Sequence, residues 1–181
     1  HLNANTGMKL RSWEMWIKPG KLPTRASEDE DPQTSIIYEQ GGNTRGASIF
    51  LAGTQAENPT EADLWFMVWN RAEAAWGGFL HQVGNDDTAS ISTKVQSGET
   101  YHIVLVMEGQ DDLTGTLTAY VNGNEVGKID DGIGLLNAHS DAVAIGFAAN
   151  EVVTINGNSG AGTSGTNTAL YFDGVIDEFA I

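Results

Sequence analysis

The 181-residue chain contains no cysteine and only nine basic residues. The lack of cysteine excludes disulfides, cysteine-ligated zinc and thiol catalysis, but it does not identify the cellular compartment. No apolar run approaches the roughly 18 residues that a membrane span needs. Amphipathic helical periodicity of any length is also missing. These absences exclude membrane insertion by a helix and disfavour a helical fold.

Acidic residues dominate the charge of the chain. It has 24 Asp and Glu, which give a formal net charge of -15, and residues 95–181 contain a single base, Lys128. A polyanion would be repelled over most of such a surface, so nucleic acid is excluded as a partner. The acids have two possible roles. They are hard oxygen ligands of the kind that Ca²⁺ prefers, or they form a solubilising surface in a saline medium.

The size and apolar content of the chain fit one domain. A single core usually takes roughly 100–200 residues, and this chain can bury one without staples. With 40% apolar residues and five Trp, it is too hydrophobic for a disordered acidic tail. We predict a single domain over residues 1–181. Because it begins at His1 rather than at Met, we expect it to be a piece excised from a larger surface or secreted protein.

Short β-branched and aromatic runs recur between turns rich in Gly, Asn, Asp and Ser. A tight turn at Asn122-Gly123 is expected to join two of these runs as a hairpin. One short helical turn is predicted at residues 70–76. About eleven strands in a domain of this size indicate an antiparallel sandwich or barrel. The strands are predicted at residues 12–18, 35–39, 47–51, 64–69, 79–83, 89–95, 101–107, 116–122, 125–129, 142–147 and 171–181.

Four segments resemble, in the same order, those of a known family. They read SWEMWIKP at 12–19, IIYEQGG at 36–42, GETYHIVLV at 98–106 followed by LTAYVNG at 117–123, and FDGVIDEFAI at 172–181. The chain is similar to the laminin G-like jelly rolls of the concanavalin A-like lectin and glucanase superfamily, which includes the pentraxins. The resemblance implies an all-β fold, an antiparallel two-sheet β-sandwich of the jelly-roll type.

The same resemblance implies a bound Ca²⁺ ion, either structural or bridging to a ligand. It places the ion on Asp177 in the closing Ile-Asp-Glu motif, with loop carbonyls near the N-terminus as partners. A second candidate is the loop that contains Glu108, Asp111 and Asp112. That loop is similar to the calcium-binding acids of pentraxins, although the order and spacing differ. The alternative for acids in this turn is a hydrogen bond to their own backbone.

Aromatic residues supply the candidate ligand-binding positions. In the strand at 64–69, Trp65 and Trp69 share one face and alternate with apolar residues on the other. If the Trp face lies outside the core, it forms an exposed platform on the concave sheet that suits stacking on sugar rings. The alternative is that the loops at 52–62 and 70–78 cover it. Trp76, in a Gly-flanked loop, and His81 complete the predicted ligand-binding set.

No catalytic residue is predicted. The glucanases of the superfamily show a Glu-x-Asp-x-x-Glu pattern, and residues 61–66 match it except that Phe66 replaces the last Glu. Asp177 and Glu178 are neighbours, so they are expected to point to opposite faces of their strand. None of the four His lies near a Gly-x-Ser-x-Gly elbow. His102, inside a hydrophobic strand, is interpreted as a hydrogen-bonded structural residue.

The leading hypothesis is a noncatalytic recognition module that is extracellular or on the cell surface. It would bind a glycan or an extracellular protein in adhesion, with Ca²⁺ as a structural or bridging ion. Two alternatives remain open. One is a glucanase-like glycoside hydrolase or lyase, and the other is a structural spacer domain of a large adhesin, whose acidity reflects a saline habitat.

Overall fold

The computed structural model describes residues 7–27, 30–42, 44–55, 57–70, 88–138, 143–148, 151–155, 157–160 and 170–181. Over these residues the chain forms thirteen β-strands and no helix, and hence contains no helix able to cross a membrane. The strands are β1 (Leu10–Pro19), β2 (Thr34–Gly41), β3 (Arg45–Gly53), β4 (Glu61–Asn70), β5 (Thr88–Gln96), β6 (Tyr101–Glu108), β7 (Gly115–Val121), β8 (Asn124–Ile133), β9 (Val143–Ile145), β10 (Glu151–Thr154), β11 (Gly157–Gly160), β12 (Leu170–Tyr171) and β13 (Gly174–Ala180).

Eleven of the thirteen described strands form two packed sheets, and β10 and β11 form a separate antiparallel pair. The five-stranded sheet has the order β13-β1-β6-β7-β8, and every neighbouring pair in it is antiparallel. The six-stranded sheet has the order β12-β2-β3-β4-β5, with β9 also paired to β2. Its pairs are antiparallel except for the short β12–β2 pair. The predicted antiparallel two-sheet sandwich is therefore confirmed, whereas the strand predicted at 79–83 and most of the helical turn predicted at 70–76 lie outside the described residues.

The core lies between the sheets because the strands alternate apolar and polar residues. Along β1, Trp13, Met15 and Ile17 are buried, and the residues between them are exposed. Leu64 and Phe66 of β4 enter the same apolar cluster from the other sheet. A period of two places every second side chain on one face of a strand, so the pattern alone determines which side of β1 is buried.

The hairpin between β7 and β8 is the tight turn that the sequence predicts. Asn122 has a φ of 52° and Gly123 a φ of 77°, the left-handed conformation that a two-residue hairpin loop of type I′ needs. Asn122 also ties the turn to β6. Its side-chain oxygen accepts a hydrogen bond from the backbone N–H of His102 at 2.9 Å, and its own N–H donates to the carbonyl of His102 at 2.7 Å.

A polar network is buried inside the core beneath β1. The hydroxyl of Tyr38 donates to the Oε1 atom of Gln40 at 2.6 Å, and the indole N–H of Trp13 donates to the same atom at 3.3 Å. The ring of Tyr38 packs against Phe179 of β13. Burial raises the pKa of Tyr38 well above its usual value, because the phenolate would be charged in an apolar site, and the nearby indole N–H only partly opposes this.

We expect this buried tyrosine to make the protein less stable in alkaline solution. Above a pH of about 10, the unfolded chain loses the Tyr38 proton while the folded protein keeps it, so the free energy of unfolding falls by up to ~1.4 kcal/mol per pH unit. Urea unfolding at a series of alkaline pH values should show that the free energy of unfolding falls less steeply with pH for Tyr38→Phe than for wild type. Tyr120→Phe is the control, and an equal slope in wild type and Tyr38→Phe would contradict the expectation.

Candidate functional site

A cleft of about 400 Å³ opens on the outer face of the five-stranded sheet, where β1 lies beside β13. The strand register places Trp16 of β1 opposite Asp177 of β13 and opposite His102 of β6. Two apolar and five polar or aromatic residues surround the cleft. They are Trp16, Ile17, Lys18, Thr100, Val175, Asp177 and Glu178.

Trp16 is the main aromatic surface of this cleft. It follows the alternation of β1, which buries Trp13 on one face and leaves Trp16 40% exposed on the other. The exposed side chain of Val175 lines the same cleft. An apolar surface of this kind beside charged groups is typical of a site that binds a ligand with both apolar and polar parts.

His102 supports the indole of Trp16 from the neighbouring strand. The two ring centroids are 4.9 Å apart, with an angle of 32° between the ring planes. The Nε2 atom of His102 lies 2.8 Å from the Oε1 atom of Glu14, which fixes the orientation of the imidazole. This agrees with the interpretation of His102 as a hydrogen-bonded structural residue. Its position beneath Trp16 further restricts the rotamers of the indole.

A β-bulge at Glu178 places two carboxylates on the same side of β13. The register between β1 and β13 shifts between Glu14 and Trp16, and Glu178 has a φ of 51°. The Oδ1 atom of Asp177 accepts a hydrogen bond from the N–H of Glu178 at 2.9 Å. The expectation that these two side chains point to opposite faces was wrong. The bulge adds one residue to β13 and interrupts its alternation, so both acids are exposed and line one cleft.

The cleft has an excess of negative charge. Among the residues that the structure describes, Lys18 is the one cation that lines it, against the carboxylates of Asp177 and Glu178. In the part of the chain that the structure describes, no ion pair joins Lys18 to either acid. Both carboxylates are exposed, and the described residues form no ion pair with either of them.

The other predicted calcium ligands lie at the far end of the sheet and make separate contacts. Asp111 forms an ion pair with Lys9. Asp112 accepts hydrogen bonds from the hydroxyl and the backbone N–H of Thr114, which hold the pKa of Asp112 below its usual value. Glu108 accepts a hydrogen bond from the hydroxyl of Thr116 at 3.3 Å. The bonds between Asp112 and Thr114 agree with the alternative to a calcium site, in which an acid in a turn is hydrogen-bonded within its own loop.

The described residues do not fit a calcium site built from side-chain carboxylates. Ca²⁺ takes about six to eight oxygen ligands. Asp177 and Glu178 are adjacent, but nowhere in the described ranges do three acidic or histidine side chains converge. The resemblance also implies loop carbonyls near the N-terminus as partners, and residues 1–6 lie outside the described residues.

Trp69, one of the two residues of the predicted aromatic platform on β4, is buried. The strand places Leu64, Phe66 and Val68 in the core, and Trp69 faces the other side of the sheet, as its alternation predicts. Trp69 is nonetheless 0% exposed, and its indole N–H donates to the carbonyl of Gly42 at 2.8 Å. It therefore offers no stacking surface to a ligand.

The chain after β9 helps to cover this outer face. Ala148 is part of the apolar cluster around Trp69, and Ile155 packs against the same cluster. Cover of this face by the loops at 52–62 and 70–78 was the alternative that the sequence left open. Ala52 of the first loop belongs to the same cluster, and residues 71–78 of the second lie outside the described residues. Trp65 is half-buried and stacks on Phe50, with 6.4 Å between the ring centroids and 6° between the planes. Trp76 and His81 lie outside the described residues.

Sequence reasoning missed Trp16 as a ligand-binding candidate, although its signal was present. The alternation of β1 places Trp16 on the face of Glu14, which is the solvent face. Val175 and Thr100 had no comparable signal. They line the cleft only because β13, from the end of the chain, pairs with β1, and because Thr100 precedes the neighbouring strand β6.

No protein-family model matches the sequence, and no curated protein matches it. Among solved structures, the chain is similar to the native heptameric SAP-like pentraxin of Limulus polyphemus, with a TM-score of 0.51 and 17% sequence identity. The likeness covers 98% of this chain and 65% of the pentraxin chain. It shows the fold of the chain, a two-sheet β-sandwich of the jelly-roll type.

Proposed function

We propose that this domain is a noncatalytic, laminin G-like recognition module that binds a glycan through the Trp16 cleft. The observation that carries the proposal is the partly exposed indole of Trp16 in an open cleft with Lys18, Asp177 and Glu178 around it. The C–H groups of a sugar ring stack on an aromatic face, and its hydroxyls need hydrogen-bonding groups at the edge of that face. The cleft offers both.

The rigidity of the site supports recognition. Trp16 lies within a strand that is paired on both sides, to β6 and to β13, and His102 packs against its ring. A side chain whose rotamer is already restricted loses little conformational entropy when a ligand stacks on it. The binding surface is therefore preorganised in the free protein.

The arrangement of the acids supports a noncatalytic function. Glycoside hydrolysis requires two carboxyl groups that flank the scissile bond. Asp177 and Glu178 are consecutive residues of one strand, so they approach a bound sugar from the same side. We therefore favour binding over the alternative of a hydrolase or lyase.

The same proposal includes the setting of the domain. We propose that it acts at the cell surface or outside the cell, as part of a larger adhesion protein. The strongly acidic composition agrees with a saline medium, and charge complementarity disfavours nucleic acid. Calcium is left out of the recognition mechanism, because the described residues do not fit a carboxylate site for it.

Trp16→Ala is expected to abolish glycan binding without unfolding the domain. Binding to an oligosaccharide selected on a glycan array should weaken at least tenfold in calorimetry, equivalent to ~1.4 kcal/mol or more. Leu10→Ala is the matched control, because Leu10 is also exposed on β1, at its other end. Both variants should keep the free energy of unfolding within about 0.5 kcal/mol of wild type, as is usual for exposed side chains.

Three results would count against this function. They are a blank array, unchanged binding by Trp16→Ala, and release of reducing ends from a β-glucan panel, which would indicate a hydrolase. The titration is repeated with EDTA and with added calcium. If calcium raised the melting temperature and Asp177→Asn removed that increase, Asp177 would be a calcium ligand and the recognition mechanism would have to include the metal.

A further inference from the structure

The charge around Trp16 restricts the kind of glycan that the cleft can hold. Both acids of the bulge, Asp177 and Glu178, are exposed, and neither has a cationic partner among the residues that the structure describes. A uronic acid or sulfated sugar stacked on Trp16 would bring a second negative charge into this cleft. Like charges within one cleft repel each other, and the net charge of -15 adds to the repulsion at long range.

The backbone at Glu178 is unusual for a residue with a side chain. Its φ of 51° lies in the left-handed region, which is unfavourable for a residue with a Cβ atom and which glycine adopts freely. The first residue of this type of bulge is commonly glycine. In this chain the bulge turns a carboxylate into the cleft instead.

The cleft is polarised along β1. Lys18 lies two residues beyond Trp16, on the same face of the strand and roughly 7 Å away. The register pairs Lys18 with Val175 and Trp16 with Asp177, so the positive group and the two carboxylates lie at different ends of the cleft. A ligand with one cationic substituent would therefore bind in a single orientation, with its cation beside Asp177 and Glu178.

We propose, on the basis of the glycan-binding function above, that the cleft selects a saccharide with free, protonated amino groups, such as an oligomer of glucosamine. The sugar ring stacks on Trp16, and its ammonium donates charge-assisted hydrogen bonds to the carboxylates of Asp177 and Glu178. An ammonium near the indole face also gains a cation–π interaction. N-acetylation removes this charge, so acetylated and acidic sugars of equal length bind more weakly.

The test is calorimetry at low ionic strength, at a pH below the pKa of the sugar amines. Three oligosaccharides of equal length are compared: a glucosamine oligomer, its fully N-acetylated form and an oligogalacturonate. Wild type should bind the glucosamine oligomer at least tenfold more tightly than the N-acetylated one and should not bind the oligogalacturonate. Asp177→Asn with Glu178→Gln should reduce the preference to less than about threefold, while the binding of the N-acetylated oligomer persists.

Two further variants separate a local effect from the overall charge. Glu125→Gln with Asp130→Asn removes two exposed acids of the edge strand β8 from the same sheet, and it should leave the preference unchanged. Lys18→Gln removes the cation of the cleft and should tighten the binding of the glucosamine oligomer. If the β8 double variant lost the preference as fully as the cleft double variant, nonspecific attraction would explain the result and the proposal would be wrong.

The outcomes distinguish this inference from the proposed function. If the N-acetylated or acidic oligomer binds as tightly as the glucosamine oligomer and Trp16→Ala abolishes that binding, the domain binds glycans but the amine selectivity is refuted. If oligolysine binds as tightly as the glucosamine oligomer, the ligand is a basic peptide and the saccharide proposal is refuted. If none of the three oligosaccharides binds, the amine selectivity is refuted, and only a blank glycan array would also refute the glycan-binding function.

Discussion

Trp13→Ala is expected to lower the free energy of unfolding by about 3–5 kcal/mol, the range for large aromatic residues truncated in a core. Trp13 is 0% exposed and lies in the cluster between the two sheets. Its replacement leaves a cavity. Strand β1 is hydrogen-bonded to β6 on one side and to β13 on the other, so it cannot move inward to fill that cavity. The replacement also removes the hydrogen bond that the Trp13 indole donates to the buried Oε1 atom of Gln40. Native domains have a free energy of unfolding of about 5–15 kcal/mol, so this loss would remove a large part of the stability of the domain.

Trp16→Ala on the same strand is the matched control for this prediction. It removes the same side chain three residues away, but from the solvent face, so the loss of stability should be near zero. Urea unfolding should be followed by circular dichroism, because both variants lose a fluorophore. Trp13→Phe, which keeps an aromatic ring, should lose less than Trp13→Ala. Equal losses for Trp13→Ala and Trp16→Ala would contradict the assignment of the core face.

Gly41→Ala is expected to destabilise the domain by roughly 2–5 kcal/mol, because a strained backbone and a steric clash add together. Gly41 ends β2 with a φ of 89°. A Cβ atom there would lie 2.2 Å from the carbonyl oxygen of Arg45 and 2.8 Å from the Cα atom of Gly46. Both neighbours are backbone atoms of β3, so the hairpin would have to open to accept the methyl group.

Gly123→Ala isolates the conformational part of that cost. Gly123 also has a positive φ, 77°, but a Cβ atom there would have no neighbour within 4 Å. We expect a loss of about 1–2 kcal/mol, the cost of the left-handed conformation alone. Thermal melting of the two variants measures the difference, and a Gly123→Ala loss as large as that of Gly41→Ala would show that the clash at Gly41 contributes nothing.

The fold could be predicted because its main signals are local. The alternation of Trp13, Trp16 and their neighbours assigns each side of β1, and Asn122-Gly123 specifies a tight turn through its left-handed backbone. The segments that resemble the laminin G-like family add the order of the strands. Each of these signals depends on residues close together in the chain, so the sequence displays them directly.

The candidate site was harder to predict because it joins distant parts of the chain. The sequence offered Trp69 as an exposed platform on the condition that its face of β4 lies outside the core, and the structure places that face outside the core between the two large sheets. Whether that face meets solvent depends on later residues, and Ala148 and Ile155 pack there. A period of two distinguishes the two faces of a strand but does not say which of them another segment covers.

The sequence by itself determined that this protein is an acidic antiparallel β-domain with Trp13 inside and Trp16 outside, because alternation and turn chemistry are properties of neighbouring residues. The tertiary structure decided that Asp177 and Glu178 share a cleft with Trp16. That outcome required the pairing of β13 with β1 and a bulge at Glu178. The register of two strands from opposite ends of the chain is set by packing, which no local pattern records.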